Sequence, residues 1–487
     1  MIQEEDYDRL LEAFSRKKQG KQENTILLSD MTGEQFLSLY TEYQNYLEEL
    51  KQMDFDDIMS LCEQLLTEEE SIRTRWQKQF RYILIDEFQD IAPVQYRIMK
   101  LLALPENNLF VVGDDDQSIY RFRGASPEMM QQFLRDYPAK QILLDTNYRC
   151  HSQIVQGALL MIAENQNRFP KQIQANHSNG KGMHCHIFET AEEESGYLLQ
   201  KMKECSKQGI LEECAVICRT HYECALFAGQ LEAWQIPYRL KENATSRFSH
   251  FVVQDILTYL RLGMGERKRS LFLRILNRPV RYLRRDSLTG ENVSEQEWLA
   301  FYREKPGLQQ EIVKLFRKLN TLQGYSTCLA VRYVRQIIGY DRYLGERYGA
   351  EEQERLLKIA EEFQEFAREY ATVEELITFV ERYEEVCRKQ KKGSEKKTGI
   401  TLLTMHGAKG LEYKRVFLPG CQEGKIPSKK AVTKEDIEEE RRLLYVAFTR
   451  AREDLYITAV KGKTGKEIPS RFLTTVCENY DKQNAKT

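Results

Sequence analysis

The chain has 487 residues, of which 41% are hydrophobic and 30% are charged, and its formal net charge at pH 7 is −2. That length allows two or three domains with full cores, and the composition excludes a largely disordered chain. A nearly neutral chain gives no overall case for nucleic-acid binding, so any such case depends on local patches. No apolar run is long enough to span a bilayer, which predicts a soluble protein.

The eleven cysteines are scattered through the chain without a Cys-x-x-Cys pair. We therefore expect no disulfide framework and no zinc site, and we expect a reducing cytoplasm as the compartment. The closest group is Cys214, Cys218 and Cys224, and two of these flank the strand-like run Ala215–Ile217. This spacing indicates a buried strand rather than a metal site.

Residues 1–75 predict helices, because apolar side chains recur at helical spacing in a polar background. These apolar positions are Phe36, Leu39, Tyr40, Tyr43, Tyr46 and Leu47. They indicate a core-facing stripe. The segment Met53–Met59, Met-Asp-Phe-Asp-Asp-Ile-Met, follows them.

The apolar run Tyr82–Ile85 has the pattern of a strand buried on both faces, and Asp86-Glu87-Phe88-Gln89-Asp90 comes directly after it. In open α/β sheets, ligands bind at the carboxyl ends of the strands. An Asp-Glu pair there suits a Mg²⁺ ion held by one carboxylate while the other orients or deprotonates a water. Such pairs are more often caps or solvated turns, so this pair alone is weak evidence for a metal site.

A second apolar run, Leu109–Val112, leads into Gly113–Ala125, which reads Gly-Asp-Asp-Asp-Gln-Ser-Ile-Tyr-Arg-Phe-Arg-Gly-Ala. Two adjacent strands are thus expected to deliver polar side chains to the same edge of one sheet. The two blocks together are a far more specific signal than either alone.

The rest of the chain alternates between two patterns. An amphipathic helix is predicted from Pro127 to about Tyr137, followed by a strand at Gln141–Leu144. Strands and helices alternate from about 143 to 262, whereas residues 263–397 indicate long helices. Strand character resumes at Ile400–Met405. We therefore predict a second α/β domain that is split by a helical insertion.

The run Arg261–Arg285 holds nine Lys and Arg residues against Glu266 alone. These cations either face the phosphates of duplex DNA or form a solvated helix surface.

Several blocks resemble, in the correct order, the motifs of the UvrD/Rep-type superfamily 1 DNA helicases. Asp86–Asp90 looks like the Walker B motif, Gly113–Ala125 like the third motif, and Met53–Met59 like the element that precedes Walker B. Thr404–Tyr413 looks like the fifth motif and Glu439–Ala451 like the sixth. The resemblance runs from about Phe36 to Leu455.

This resemblance implies an α/β protein with two RecA-like motor domains of the P-loop NTPase type, the first of them incomplete. Four parts follow from it. Residues 1–45 would be a remnant of the helical insertion of the first motor domain, and residues 46–142 would be the rest of that domain. Residues 143–262 and 398–487 would form the second motor domain, with residues 263–397 as its helical insertion.

The resemblance also implies ATP and Mg²⁺ as cofactors. Asp86 would hold Mg²⁺, Glu87 would polarise the attacking water, and Gln117 would sense the γ-phosphate. Arg149 and Arg450 are suited to be arginine fingers, because a planar guanidinium meets phosphoryl oxygens in bidentate fashion. The nucleotide-binding positions implied in addition are Tyr148, which would stack on adenine, Gly410 and Glu412.

Single-stranded and duplex DNA are the implied partners, with 3′–5′ polarity. Tyr120 and Phe122 would stack on successive bases, together with Arg123 and His406. The family usually has Trp where Phe122 stands, so stacking there should be weaker. Core packing is the alternative for these aromatic side chains.

One element of the family is missing from the sequence. The phosphate-binding Walker A loop, G-x-x-x-x-G-K-[ST], should precede Asp86, but residues 1–85 hold a single Gly-Lys pair, Gly20-Lys21, followed by Gln22. Gly462-Lys463-Thr464 does not qualify, because Ile457 stands where the first glycine is needed and Pro469 interrupts a helix start.

Three hypotheses remain open. The chain is a helicase whose first motor domain is incomplete here, a non-catalytic DNA-binding or scaffold subunit, or a split motor that takes its phosphate loop from another chain. We favour the first, since a scaffold does not need Asp86, Glu87, Gln117, Arg149 and Arg450.

Overall fold

The computed structural model describes residues 13–14, 17–18, 32–120, 128–176, 182–241, 247–391, 398–429, 431–462, 468–474 and 476–477. The chain forms two compact units. Met1–Ser60 and Ala244–Lys392 form one, the helical unit, and Leu61–Asn243 and Gly393–Thr487 form the other, the sheet unit. The division into four parts made from the sequence stays a prediction.

The helices are, in chain order, α1 (Gly33–Glu49), α2 (Phe55–Glu68), α3 (Glu70–Gln79), α4 (Pro93–Ala103), α5 (Glu128–Asp136), α6 (Ser152–Ile162), α7 (Ala191–Lys207), α8 (His221–Ala233), α9 (Phe251–Gly263), α10 (Arg269–Ile275), α11 (Glu295–Phe301), α12 (Pro306–Thr321), α13 (Thr327–Tyr333), α14 (Tyr340–Arg347), α15 (Ala350–Phe366), α16 (Val373–Lys391) and α17 (Lys434–Phe448). The strands are β1 (Ile83–Ile85), β2 (Leu109–Val111), β3 (Thr146–Asn147), β4 (Gln174–Ala175), β5 (Gly182–Phe188), β6 (Cys214–Cys218), β7 (Tyr238–Leu240), β8 (Ile400–Thr404), β9 (Tyr413–Leu418) and β10 (Ala451–Val460).

Threonine caps fix where several helices begin. The Thr433 side chain accepts a hydrogen bond from the backbone N–H of Asp436, and the Asp436 carboxylate accepts one from the N–H of Thr433. This reciprocal pair satisfies two donors that have no partner inside the helix. It sets the start of α17, and Arg450 lies just beyond the other end of that helix.

The main core of the sheet unit surrounds a six-stranded parallel sheet with the strand order β5-β10-β9-β6-β8-β7. Every residue of β6 and β8 is buried, as expected for strands that are covered on both faces. The predicted strands at Cys214–Cys218 and from Ile400 onwards are therefore confirmed. Because all strands run parallel, the loops that follow them gather at one edge of the sheet.

A second, two-stranded parallel sheet pairs β1 with β2, and Leu84 lies opposite Phe110. One face packs against a small core formed by Phe88, Ile91, Tyr96, Met99 and Phe133. On the other face Leu84 is 71% exposed and Phe110 is 56% exposed. The prediction that this strand is buried on both faces is wrong, since the described helices cover only one side.

The strand predicted at Gln141–Leu144 is also not formed. Residues 139–145 are irregular, and the side chains of Ile142 and Leu144 are largely exposed. An apolar run forms a strand only when a neighbouring strand supplies hydrogen bonds, and the short strand β3 begins only at Thr146, where it pairs with β4.

The helical unit has no strand among its described residues. Its polar centre is the fully buried carboxylate of Asp255 on α9. Arg274 donates to Asp255 at 2.6 Å, Arg278 at 2.9 Å and the hydroxyl of Tyr340 at 2.8 Å. This network joins α9, α10, the loop after α10 and α14.

Most of the nine cations in Arg261–Arg285 are used inside the fold. Arg281 is buried and donates to the carbonyl of Ile275, and Arg267 donates to the carbonyl of Leu262. These internal contacts fit neither alternative offered by the sequence, a surface that faces duplex phosphates or a purely solvated helix face. Of the nine, Lys268, Arg284 and Arg285 are exposed.

Cys185 on β5 and Cys477 form a disulfide bond, with their Cα atoms 5.7 Å apart. The sequence, from which we expected no disulfide framework, did not indicate this single bond. A separation of 292 residues gave no signal in the sequence. The other nine cysteines are free.

Candidate active site and nucleic-acid contacts

The acidic pair follows β1 directly. Asp86 and Glu87 are both exposed, and one oxygen of Asp86 accepts a hydrogen bond from the N–H of Glu87 at 2.8 Å. Glu87 has φ 51°, in the left-handed region that side chains with a Cβ rarely adopt. Two exposed carboxylates at a strand end suit a hard divalent ion.

Gln89 connects this pair to the loop after β2. Its buried side chain donates to the carboxylate of Glu87 and accepts from the N–H of Asp114 at 3.0 Å. Gly113 lies so close that a Cβ added there would come within 2.7 Å of the Gln89 amide oxygen. The ends of β1 and β2 are thus joined by one side chain, which sequence reasoning passed over because Gln89 lies inside the acidic block.

Gln117 lies in a short 3₁₀ helix, Asp115–Gln117, beyond β2. Its amide donates to Asp114 Oδ2 at 2.8 Å, and its amide oxygen is 3.4 Å from Nη2 of Arg450. Gln117 and Arg450 are 333 residues apart in the chain. Gln117 follows β2 of the two-stranded sheet, and Arg450 directly precedes β10 of the six-stranded sheet. Two of the candidate site residues therefore meet.

The Arg450 side chain is held rigidly at the end of α17. It is 1% exposed and donates to the carbonyls of Val446 at 2.9 Å and Leu411 at 3.2 Å. Burial lowers the pKa of Arg450 to about 10, and nearby Arg149 adds to this effect. The guanidinium is therefore fixed in place with one edge directed at Gln117.

Arg149 is held differently. Its Nε is 2.8 Å from a carboxylate oxygen of Glu412, and both side chains are more than one third exposed. Glu412 also lies 3.6 Å from Arg452, which sequence reasoning did not single out. Arg149 thus rests on a solvent-exposed ion pair that a stronger anion can displace.

Tyr148 is 72% exposed beside Arg149, so its ring face is available to a ligand. Gly410 has φ 78°, and an added Cβ would meet nothing within 4 Å, so glycine is required there by the backbone rather than by space.

Tyr120 is partly buried and lies below Lys409, whose Nζ is 4.9 Å from the ring centroid. Lys409 also donates to the carbonyl of Gln117 at 2.7 Å and pairs with Asp90. Burial raises the pKa of Asp90 even though Lys409 opposes it. His406 lies in the turn after β8 and is partly exposed. Phe122 and Arg123 lie outside the described residues.

Comparisons with known proteins match most of the chain. Residues 2–138 match the UvrD/REP helicase N-terminal domain, and residues 142–296 and 294–462 match the UvrD-like helicase C-terminal domain. YjcD of Bacillus subtilis is 34% identical over 92% of this chain and 61% of its own length.

Two proteins named ATP-dependent DNA helicase PcrA are 30% identical. The one from Leuconostoc citreum matches 90% of this chain and 62% of its own length, and the one from Staphylococcus aureus matches 93% and 65%. The chain thus spans somewhat less than two thirds of the length of these relatives. A solved C-terminal domain of a possible DNA helicase from Lactobacillus plantarum covers 68% of this chain and 94% of its own, at 11% identity and a TM-score of 0.27, which is too low to carry an argument.

The mixed α/β fold with parallel sheets is consistent with two RecA-like motor domains. Together with the sequence matches over nearly the whole chain, it shows that this chain belongs to the UvrD-like DNA helicase family.

Proposed function

We propose that this chain serves an ATP-dependent DNA helicase or translocase activity of 3′–5′ polarity. The observation that carries the proposal is the meeting of Gln117 with Arg450 at 3.4 Å, close to the acidic end of β1. A phosphate-sensing amide and a fixed guanidinium, brought together from two sheets, form a site in which phosphoryl chemistry depends on both.

Each site residue has a role that its contacts allow. Asp86 would hold Mg²⁺, which would supply positive charge near the phosphate oxygens. Glu87 orients and deprotonates water, and Gln89 and the turn at Glu87 fix its carboxylate. Arg450 stabilises negative charge from a fixed position.

The nucleotide also contacts residues on the exposed side of the site. Tyr148 offers an aromatic face for the adenine ring, and Gly410 and Glu412 line the same nucleotide site. Arg149 moves from Glu412 to the phosphates, because a polyanion attracts a guanidinium more strongly than one exposed carboxylate does.

DNA binds beside this site. Tyr120 and Phe122 stack on bases, and Arg123 and His406 contact the strand, each stack contributing about 1–3 kcal/mol without regard to sequence. Tyr120 lies three residues beyond Gln117. The same loop therefore carries one residue that contacts DNA and one that contacts the nucleotide. We place this activity in the cytoplasm. No described helix is both long and apolar enough to cross a membrane.

We expect this chain alone to hydrolyse ATP at a negligible rate. Its sequence holds no complete G-x-x-x-x-G-K-[ST] loop, so the β- and γ-phosphates lack their main cradle. The measurement is phosphate release with and without single-stranded DNA, with Glu87→Gln as the control. DNA-stimulated release that disappears in Glu87→Gln would show that a phosphate loop has been overlooked.

Weak binding of single-stranded DNA is the positive test. The double variant Tyr120→Ala/Phe122→Ala should lose affinity, yet its log–log dependence on salt should stay about the same, because stacking releases no counterions. Circular dichroism must match that of the parent chain. Equal affinity of the two proteins would mean that these rings are core residues and not a binding surface.

A further inference from the structure

A cluster of five charged side chains lies next to the loop that carries Gln117 and Tyr120. It consists of Asp114, Asp115 and Asp116 after β2, and of Arg168 and Lys171 after α6. Asp116 is 0% exposed and Asp115 is 2% exposed. We call this set the five-charge cluster.

Arg168 forms a bidentate ion pair with the carboxylate of Asp116. Its Nε is 2.9 Å from Asp116 Oδ1, and its Nη2 is 2.7 Å from Asp116 Oδ2. The N–H of Phe169 donates to Asp115 at 2.8 Å. The segment before β4 is thus bound along the whole acidic run.

Lys171 reaches all three carboxylates. Its Nζ is 2.9 Å from Asp116 Oδ2 and forms ion pairs with one oxygen each of Asp114 and Asp115. Its side chain is 9% exposed. Because buried carboxylates are costly without a cation, Lys171 stabilises the loop in this shape. The three aspartates have ligand atoms close enough together for a metal ion, but Arg168 and Lys171 already form ion pairs with them.

The cluster is connected to the candidate active site through Asp114. One oxygen of Asp114 pairs with Lys171, and the other accepts from the amide of Gln117 at 2.8 Å. An amide that donates to Asp114 turns its oxygen the other way, towards Arg450. The contacts therefore run from Lys171 through Asp114 and Gln117 to Arg450.

We propose that Lys171 is a positioning residue for this loop: it sets the direction of the Gln117 amide and the placement of Tyr120. The proposal rests on the proposed function, because the roles of Gln117 and Tyr120 belong to that function. The proposed function gives Lys171 no contact of its own with nucleotide or DNA.

The test compares Lys171→Met, which removes the charge, with Lys171→Arg, which keeps it. The control is Arg274→Met in the Asp255 network of the helical unit, which also removes a cation from a buried carboxylate. Two readouts are needed. One is the affinity for a fluorescent oligo(dT) of about 20 nucleotides. The other is the side-chain amide NMR signal of Gln117, assigned with Gln117→Leu.

Lys171→Met should weaken DNA binding about fivefold or more and shift the Gln117 amide signal, and Lys171→Arg should restore both. Arg274→Met should lower the melting temperature but change affinity less than about twofold and leave the signal in place. The proposal is overturned if Lys171→Met lowers only the melting temperature.

Failure of the proposed function gives a different result. If the parent chain binds no DNA, the proposed function is wrong in that respect, and the Gln117 signal alone decides the role of Lys171. An unmoved signal in Lys171→Met then overturns the positioning role, and a moved signal supports it.

Discussion

At the scale of single residues, the two candidate arginine fingers differ in what they do for the fold. Arg450 is buried and donates to two backbone carbonyls, whereas Arg149 is exposed and pairs with Glu412. Arg450→Ala should lower the free energy of unfolding by about 3 kcal/mol, because it leaves the carbonyl of Leu411 without its donor. Arg149→Ala should cost about 0.5 kcal/mol. Urea denaturation of the two variants provides the measurement.

Equal losses in the two variants would contradict this difference. Arg450→Lys is the matched control for charge, since it keeps the cation but not the fixed planar geometry. We expect it to recover only part of the lost stability.

The five-charge cluster makes a prediction about pH. Burial tends to raise the pKa of Asp116, but Arg168 and Lys171 outweigh it and hold that pKa below its ordinary value of 3.8. A lowered carboxyl pKa stabilises the fold above pH 3.8, and this stabilisation is lost as the pH falls through the folded value. The three aspartates raise the pKa of Lys171 against the effect of burial, so its contribution is present below pH 10.5 and is lost only above it.

Lys171→Met should change how the stability of the fold depends on pH. With one cation gone, the three carboxylates repel each other, and the variant should be less stable by about 3–5 kcal/mol at neutral pH. Acidification protonates the carboxylates, so the difference from the parent chain should shrink between pH 7.5 and pH 5. Denaturation curves at both pH values give the answer, with the partly exposed Lys201→Met as control. A difference that does not change with pH would contradict the argument.

At the scale of elements, the sequence predicted strands well where neighbours exist on both sides. Cys214–Cys218 and Ile400–Thr404 are adjacent central strands, and their apolar runs are buried as expected. Gln141–Leu144 has the same kind of pattern but no neighbouring strand in the part of the chain that the structure describes, and it stays irregular. Apolar pattern reports a preference for burial, and only the tertiary fold decides whether a partner strand is present.

The charge run in the helical unit shows a similar limit. A count of nine cations against one acid between positions 261 and 285 suggests a surface, but Asp255, just outside that window, takes up Arg274 and Arg278. Local net charge therefore misses a counter-ion from the preceding helix.

Asp255→Asn should destabilise the helical unit strongly. It leaves two arginines near a neutral amide in a buried place, which should cost about 3–5 kcal/mol. The measurement is thermal unfolding followed by circular dichroism. Asp286→Asn, which breaks the exposed pair with Arg284, is the matched control and should leave the melting temperature unchanged. Similar melting of both variants would contradict a structural role for the network.

At the scale of the whole molecule, the sequence pointed to candidate site residues one at a time but not to the contacts between them. Asp86, Gln117, Arg149 and Arg450 stand in contiguous motifs at strand ends or just beyond a helix. Lys409 pairs with Asp90 across 319 residues, and Lys171 meets Asp116 across 55. Such contacts depend on how separate elements pack, and no local spacing encodes them.

The exposed apolar face of the β1–β2 sheet, which carries Leu84 and Phe110, should promote self-association of the protein. Leu84→Thr/Phe110→Thr replaces two exposed apolar side chains by β-forming polar ones and should reduce self-association, because less apolar area is removed from water when two molecules meet. Sedimentation velocity over a range of protein concentrations is the measurement. Val432→Thr/Ile468→Thr alters two exposed apolar side chains elsewhere in the sheet unit and should have no such effect. Unchanged association in the first variant would count against the idea.

This face also bears on the shape of a DNA-binding curve. Molecules that associate through Leu84 and Phe110 would bind a long oligonucleotide as oligomers. The binding curve would then be steeper than the curve for one independent site. The steepness would then report contact between proteins and not cooperation along the DNA. On an oligonucleotide too short for two molecules, it should disappear.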